Sequence, residues 1–260
     1  MKILSNKPTR TLVFIMLVLV FIVAIFAHFY YKNINNKNDP RITAARNIYE
    51  NYNELTQNND FNLVFKLLDS VEFIYSKYPH YKNSFETGVL YNNRAAAYLT
   101  MAIYKDSFDN NIDSHFDLSN DSLLKLAEVA VNKSVNIYEA WLTEFENKNA
   151  EEIGNIISEI FLKGLENYEL SEQNVFLKNR IEELQTAQYE NKRRLSVSYA
   201  NLGLVYRHRG EYKKAAKNYK KALDLWDRNL SAENNLNILL GRPIRKRNII
   251  QKLFPPEKEK

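Results

Sequence analysis

The stretch 196–229 constrains the fold more than any other part of this chain. Three small residues, Gly203, Ala215 and Ala222, alternate with three tyrosines, Tyr199, Tyr206 and Tyr219. The apolar positions recur every third or fourth residue, the period of one helix face. Two helices of a hairpin can approach closely only where Gly203, Ala215 and Ala222 present almost no side chain. Aromatic rings then fill the space between neighbouring hairpins.

This unit resembles the tetratricopeptide (TPR) family. Tyr199, Leu202, Gly203 and Tyr206 take the first-helix signature positions. Gly210 and Tyr212 make the turn, and Ala215, Tyr219 and Ala222 take the second-helix positions. The resemblance implies an array of helical hairpins that binds protein partners and carries out no chemistry. A weaker copy occurs earlier. Tyr91, Ala95 and Tyr98 match the aromatic, small and aromatic positions, with Arg94 where leucine is expected. Its second helix is predicted over Ser122–Phe145, with Ala127, Val131 and Ser134 on the signature.

The remaining sequence is consistent with an all-α chain. Six Gly, six Pro and helical spacing argue for helices throughout, and the absence of cysteine excludes disulfides and thiolate metal sites. Helices are expected over 41–56, over 61–77 with Pro79 as its stop, and as a pair over 151–168 and 172–187. A capping helix over 232–240 is stopped by Gly241 and Pro243. The domain plan is a basic tail (1–10), a transmembrane anchor (11–31), a linker (32–40), a repeat region (41–240) of about four hairpins plus the cap, and a basic tail (241–260).

The anchor rests on Leu12–Ala27, sixteen apolar residues in a row. Thr11–Tyr31 spans about 31 Å as a helix, against a hydrocarbon core of about 30 Å. Tyr30 and Tyr31 suit the interfacial belt. A cleaved signal peptide is the competing reading, but the apolar core is long for one and Ile25 stands where a small residue is preferred. Lys2, Lys7 and Arg10 before the span balance Lys32, Lys37 and Arg41 after it, so flanking charge hardly orients it. Carrying three uncompensated cations and the α-amino group across is costly. The expected arrangement is therefore an inner-membrane protein with the repeats on the outer, periplasmic side.

Residues 41–190 carry 13 Lys and Arg against 24 Asp and Glu, a net of −11; residues 191–260 carry 18 against 6, a net of +12. Such opposed halves suit self-association or a charge-patterned partner. Lys213, Lys217 and Lys220 on the second helix of the strong unit, with Arg242, Arg245, Lys246 and Arg247 after the cap, form a basic surface. It would serve an anionic membrane or, less favoured for want of a binding motif, nucleic acid.

No catalytic motif is present, and no cofactor or metal ion is expected. The four histidines lie far apart in sequence. Asp109, Asn111, Asp113 and Asp117 fall at calcium-loop positions, but Ser114 stands where the turn needs Gly and Asn120 where a bidentate Glu belongs. Asn120 or Asp121 would instead cap the next helix. The resemblance implies a partner groove on the inner face. Asn201 and Asn93 take the inward asparagine position, with Leu204, Arg207 and His208 beside them. An asparagine amide can meet a peptide N–H and C=O together. Ala200 and Leu204 stand where a carboxylate clamp would need polar residues, which argues against that specificity. The expected role is a membrane scaffold or adaptor for an envelope complex.

Overall fold

Every regular element among the described residues is a helix. The computed structural model describes residues 7–35, 38–104 and 118–246, with side chains from 11 to 26 in the first of these stretches. Helix α1 (Lys7–Asn35) is 29 residues long. Its described side chains are exposed on all faces, Phe14, Leu17, Phe21 and Phe26 by more than 60% each. Among the described residues no helix is long and apolar enough to cross a membrane. The sixteen residues with described side chains cover only about 24 Å.

A 3₁₀ turn (Pro40–Ile42) leads into α2 (Thr43–Tyr49) and α3 (Tyr52–Gln57). The single helix expected over 41–56 is therefore broken at Glu50–Asn51. Asn47, Asn51 and Asn53 crowd the break, and asparagine competes poorly for helix interior. Asp60 caps α4 (Phe61–Ser76) by accepting from the Leu63 N–H at 3.2 Å. Pro79 does more than stop that helix. It opens the one-turn α5 (Pro79–Lys82), where a missing N–H costs nothing.

Helices α6 (Phe85–Tyr104) and α7 (Asn120–Phe145) form the second hairpin. The cap of α7 is Ser119, whose Oγ accepts from Ser122 N–H at 3.2 Å; Asn120 and Asp121 already lie inside the helix. Helix α8 (Ala150–Leu162) starts with a reciprocal Asn149–Glu152 capping box. It ends six residues earlier than expected because Gly164, at φ +87°, turns the chain.

The main departure from expectation is α9 (Leu170–His208), one continuous helix of 39 residues. The second helix of the third pair and the first helix of the 196–229 unit are the same element. The joining residues, Gln188–Leu195, contain neither Gly nor Pro and are mostly good helix formers. After Gly210 (φ +74°) come α10 (Tyr212–Leu225) and the capping α11 (Leu230–Leu239), the latter ended by Gly241 at φ +65°.

The hairpins accordingly stack in a different order from the chain. The first hairpin (α2, α3 and α4) meets α6, and α6 and α7 meet the C-terminal half of α9, which pairs with α10 and then α11. The third pair leaves this stack: α8 packs on α9 and on α5. The N-terminal half of α9 returns to the first hairpin, where Arg46 meets Glu183 at 2.5 Å and Arg41 Nη1 donates to the Lys163 carbonyl at 2.6 Å. In an open solenoid each hairpin touches only its neighbours. Here the first hairpin and the third pair close on each other.

Candidate partner-binding groove

Close packing of the 196–229 unit is carried by one glycine. A Cβ on Gly203 would stand 2.5 Å from Cε1 of Tyr219, on the facing helix. Tyr199, Leu202, Ala215, Tyr219 and Ala222 are all buried. Tyr206 is half-buried and donates its hydroxyl to Glu128 of α7 at 3.0 Å. Tyr212 does not pack as expected: it opens α10 and is 61% exposed, with Gly210 alone making the turn.

The second hairpin repeats the device at a residue that signature matching passes over. A Cβ on Gly88 would meet the Tyr138 ring at 2.8 Å. Tyr91, Ala95 and Tyr98 lie one, two and about three turns further along. Ala95 is fully buried, Tyr98 stacks on Phe65 at 4.5 Å, and Tyr91 donates to Glu72 at 2.5 Å. Arg94, at the expected leucine position, pairs with Asp69 at 2.7 Å and Glu72 at 3.0 Å. A buried hydroxyl ladder joins the two hairpins. Ser134 donates to the Gly88 carbonyl at 2.8 Å and lies 3.0 Å from the Ser198 hydroxyl, and Ser198 donates to Asn92 at 3.1 Å.

First helices line the inner face. A cavity of about 410 Å³ lies between α2, α4, α6 and α9, bordered by Arg46, Tyr49, Tyr75, Phe85, Val89 and Arg194 among others. A second hollow of about 120 Å³ shares Val89 and Arg194 and continues to Asn92 and Val197. Together they make a groove across α6 and α9. Glu86, Val89 and Asn93 on α6, and Glu190, Arg194, Val197 and Asn201 on α9, recur at one-turn spacing. In the sequence the same stripe lies one turn back from Asn93 and Asn201, at Val89 and Val197, which hold no signature position.

The expected groove residues are mostly engaged within the chain. Asn93 Nδ2 donates to the Tyr49 hydroxyl at 2.5 Å, and Asn201 Nδ2 donates to Asn92 at 3.0 Å. Arg207 donates to Asn235 of α11 at 2.6 Å. Leu204 packs, half-buried, against the cluster built on the first hairpin. Burial first, and then the Arg207 charge, lower the pKa of His208. Asn93 and Asn201 do not line either hollow; each amide is bonded to a residue that does, Tyr49 and Asn92 respectively, while Arg207 reaches the cap.

Residues 196–229 match the family model of the tetratricopeptide repeat. The unit is a tetratricopeptide repeat. No curated protein and no solved structure matches the chain. A tetratricopeptide repeat suggests a protein–protein interaction scaffold, and proteins with such repeats are generally not enzymes.

Behind the groove, the repeat's long first helix carries an ionic cluster around a buried arginine, which no local pattern marks. Arg180, 2% exposed, donates to both oxygens of Glu86 at 2.5 and 3.1 Å, to Glu183 at 2.9 Å and to His80 Nε2 at 2.8 Å. Its guanidinium also lies 4.7 Å from the centre of the Tyr81 ring. Burial alone would raise the Glu86 pKa, but the Arg180 charge and hydrogen bonds reverse this and hold it down to about 2. Burial and Arg180 together lower His80 to about 3, so Nε2 stays an acceptor.

Opposed charges are partly spent inside the molecule. On α7, Glu128 pairs with Arg209 at 2.5 Å and Glu139 accepts from Tyr199, whose oxygen accepts from Lys221 at 2.8 Å. On the outer face of α10, Lys213, Lys217 and Lys220 are exposed and in no ion pair among the described residues. Arg242 and Lys246 follow α11, Arg245 pairs with Glu233 at 3.1 Å, and Arg247 lies outside the described residues. Among the described residues no group of His, Cys, Asp or Glu could hold a metal ion. Asp109, Asn111, Asp113 and Asp117 lie outside them.

Proposed function

We propose that this protein is a membrane-anchored tetratricopeptide scaffold. Its inner groove holds a protein partner during assembly or maintenance of a cell-envelope complex. The observation that carries this reading is the continuous groove on the first helices. Val89 and Val197 stand half-buried on its wall, within hollows large enough for partner side chains.

Membrane attachment is argued from the chain's N-terminal segment. Leu12–Ala27 is apolar on every side, and the described side chains of α1 are exposed all round. A helix apolar on all faces requires cover by lipid or protein. Because carrying three uncompensated cations and the α-amino group across is costly, the basic N-terminal tail stays inside and the repeats face outward, in the inner membrane.

The test is capture of partners from detergent-solubilised membranes by the full chain. Val89→Asp with Val197→Asp should remove the principal partner while helix content stays unchanged. A second reading, binding of an anionic membrane or nucleic acid by the basic C-terminal third, is favoured by the unpaired, exposed Lys213, Lys217 and Lys220. If their replacement by glutamine abolishes capture and the groove variant does not, the basic-surface reading replaces the groove.

A further inference from the structure

We propose that the groove selects a partner segment bearing a carboxylate, and that Arg194 is the residue that binds it. This inference rests on the groove reading above and adds the chemistry of the ligand.

Arg194 projects from α9 where the two hollows meet and borders both. The Phe85 ring covers one face of its guanidinium, with 5.3 Å from the carbon to the ring centre. A cation–π contact of this kind holds the guanidinium against the ring and leaves N–H groups of the fork for an acceptor. Arg194 Nε is buried and, among the described residues, has no hydrogen-bond partner. The nearest carboxylate in an ion pair with it, Glu190, is 3.7 Å away, too far for a hydrogen bond. Glu190 already accepts from Arg193 at 3.2 and 3.3 Å.

The other cations nearby are committed. Arg46 holds Glu183 at 2.5 Å and Arg180 holds Glu86. Tyr49 supplies a second donor. Its oxygen accepts from Asn93, so its own O–H is left to point at a ligand. The Arg194 charge acts on that phenol, opposing the rise that burial causes. A guanidinium edge and a phenol O–H bordering one cavity ask for an acceptor with negative charge, and a carboxylate matches the fork in shape. Exposed Glu50 on the rim sets a limit. It repels a second acidic residue on that side, so the preferred segment carries one carboxylate flanked there by neutral or basic residues.

The experiment is an array of 15-residue peptides of varied sequence. Each is made with Glu and with Gln at its acidic positions, and each with a free and an amidated C-terminus. It is probed with the full chain in detergent, and the strongest binders are then measured by fluorescence anisotropy. A charge-assisted pair should make the Glu form bind about tenfold or more tightly than the Gln form. Arg194→Gln should erase that ratio, Arg194→Lys should restore part of it, and Lys217→Gln, the same charge change elsewhere, should leave it intact. A preference lost on amidation alone would assign the carboxylate to a chain end, and one lost on Glu→Gln would assign it to a side chain. Binding indifferent both to Glu→Gln and to amidation, or a preference that survives Arg194→Gln, overturns the carboxylate site. If that indifferent binding still disappears in Val89→Asp, the groove reading stands without it. If peptides bind regardless of Val89, or none binds at all, both readings fall.

Discussion

Arg180 of α9 holds Glu86 of α6 through both carboxylate oxygens, and it does so almost fully out of water. The pair fastens the N-terminal half of the repeat's first helix to the second hairpin. Removing one member of a fully buried pair costs about 3–5 kcal/mol, and the loss here should be smaller because the Glu86 side chain keeps 27% of its exposure to water. Arg180→Ala should therefore lower the denaturation midpoint. The double change Arg180→Met with Glu86→Gln, which buries no charge, should recover much of the loss. Chemical denaturation of the three proteins decides it, and equal loss in single and double variants would show that the pair does not act as a unit.

Acid should weaken the same junction in two stages. His80 is neutral when folded, with a pKa of about 3 against 6.5 when free, so the unfolded chain binds its proton first. Stability should fall as pH drops from about 6.5 towards 3, by at most about 1.4 kcal/mol per pH unit from this group. Glu86, held at about 2 against 4.5, contributes stability above 4.5 that is lost as pH falls towards 2. In His80→Gln the amide oxygen can still accept from Arg180. Its stability should be flatter between pH 6.5 and 4.5, which urea titrations at fixed pH would read.

Glycine substitutions separate close packing from backbone conformation. Gly203→Ala and Gly88→Ala each drive a methyl into a tyrosine ring and should cost about 1–3 kcal/mol. Gly210→Ala meets no atom within 4 Å, so its cost should come only from the left-handed φ of +74°, about 1–2 kcal/mol. Combining Gly203→Ala with Tyr219→Leu should relieve the first kind of cost, while no neighbour change relieves the second. Melting curves for the set would test this, and full additivity of the Gly203 and Tyr219 changes would count against it.

If Leu12–Ala27 is the proposed anchor, its burial in lipid does not depend on charge, and the full chain should remain with membranes through carbonate and high-salt washes. A mature N-terminus near residue 28, read by mass spectrometry, would replace the anchor with an exported form. Protease added to spheroplasts should remove the repeats if they face outward.

How much of this was legible depends on whether a residue's role is local. The 196–229 hairpin, its turn at Gly210 and its buried Ala215, Tyr219 and Ala222 follow from the tetratricopeptide signature that the stretch resembles. Small residues at helical period have few other uses. The α4 and α7 helices were readable from apolar residues at helical period, and the cap from its stop at Gly241. Gly88 could have been found as a second close approach one heptad before Ala95. The fusion of two expected helices into α9 also had a signal, since nothing between Gln188 and Leu195 breaks a helix.

Tertiary structure alone decided the rest, because contact partners distant in sequence leave no periodic trace. Nothing local says that Arg180 will meet Glu86, 94 residues away, or that Arg46 will meet Glu183. The same holds for Asn201, whose amide is spent on Asn92 across the hairpin interface. Arg194 reads in the sequence as one more charge on a solvated helix. Only the packing of α6 against α9 puts it over Phe85, at the edge of a cavity, with no carboxylate of the described residues within hydrogen-bond reach. Local spacing determined the hairpins, and the free energy of burying charge among distant helices decided how they close.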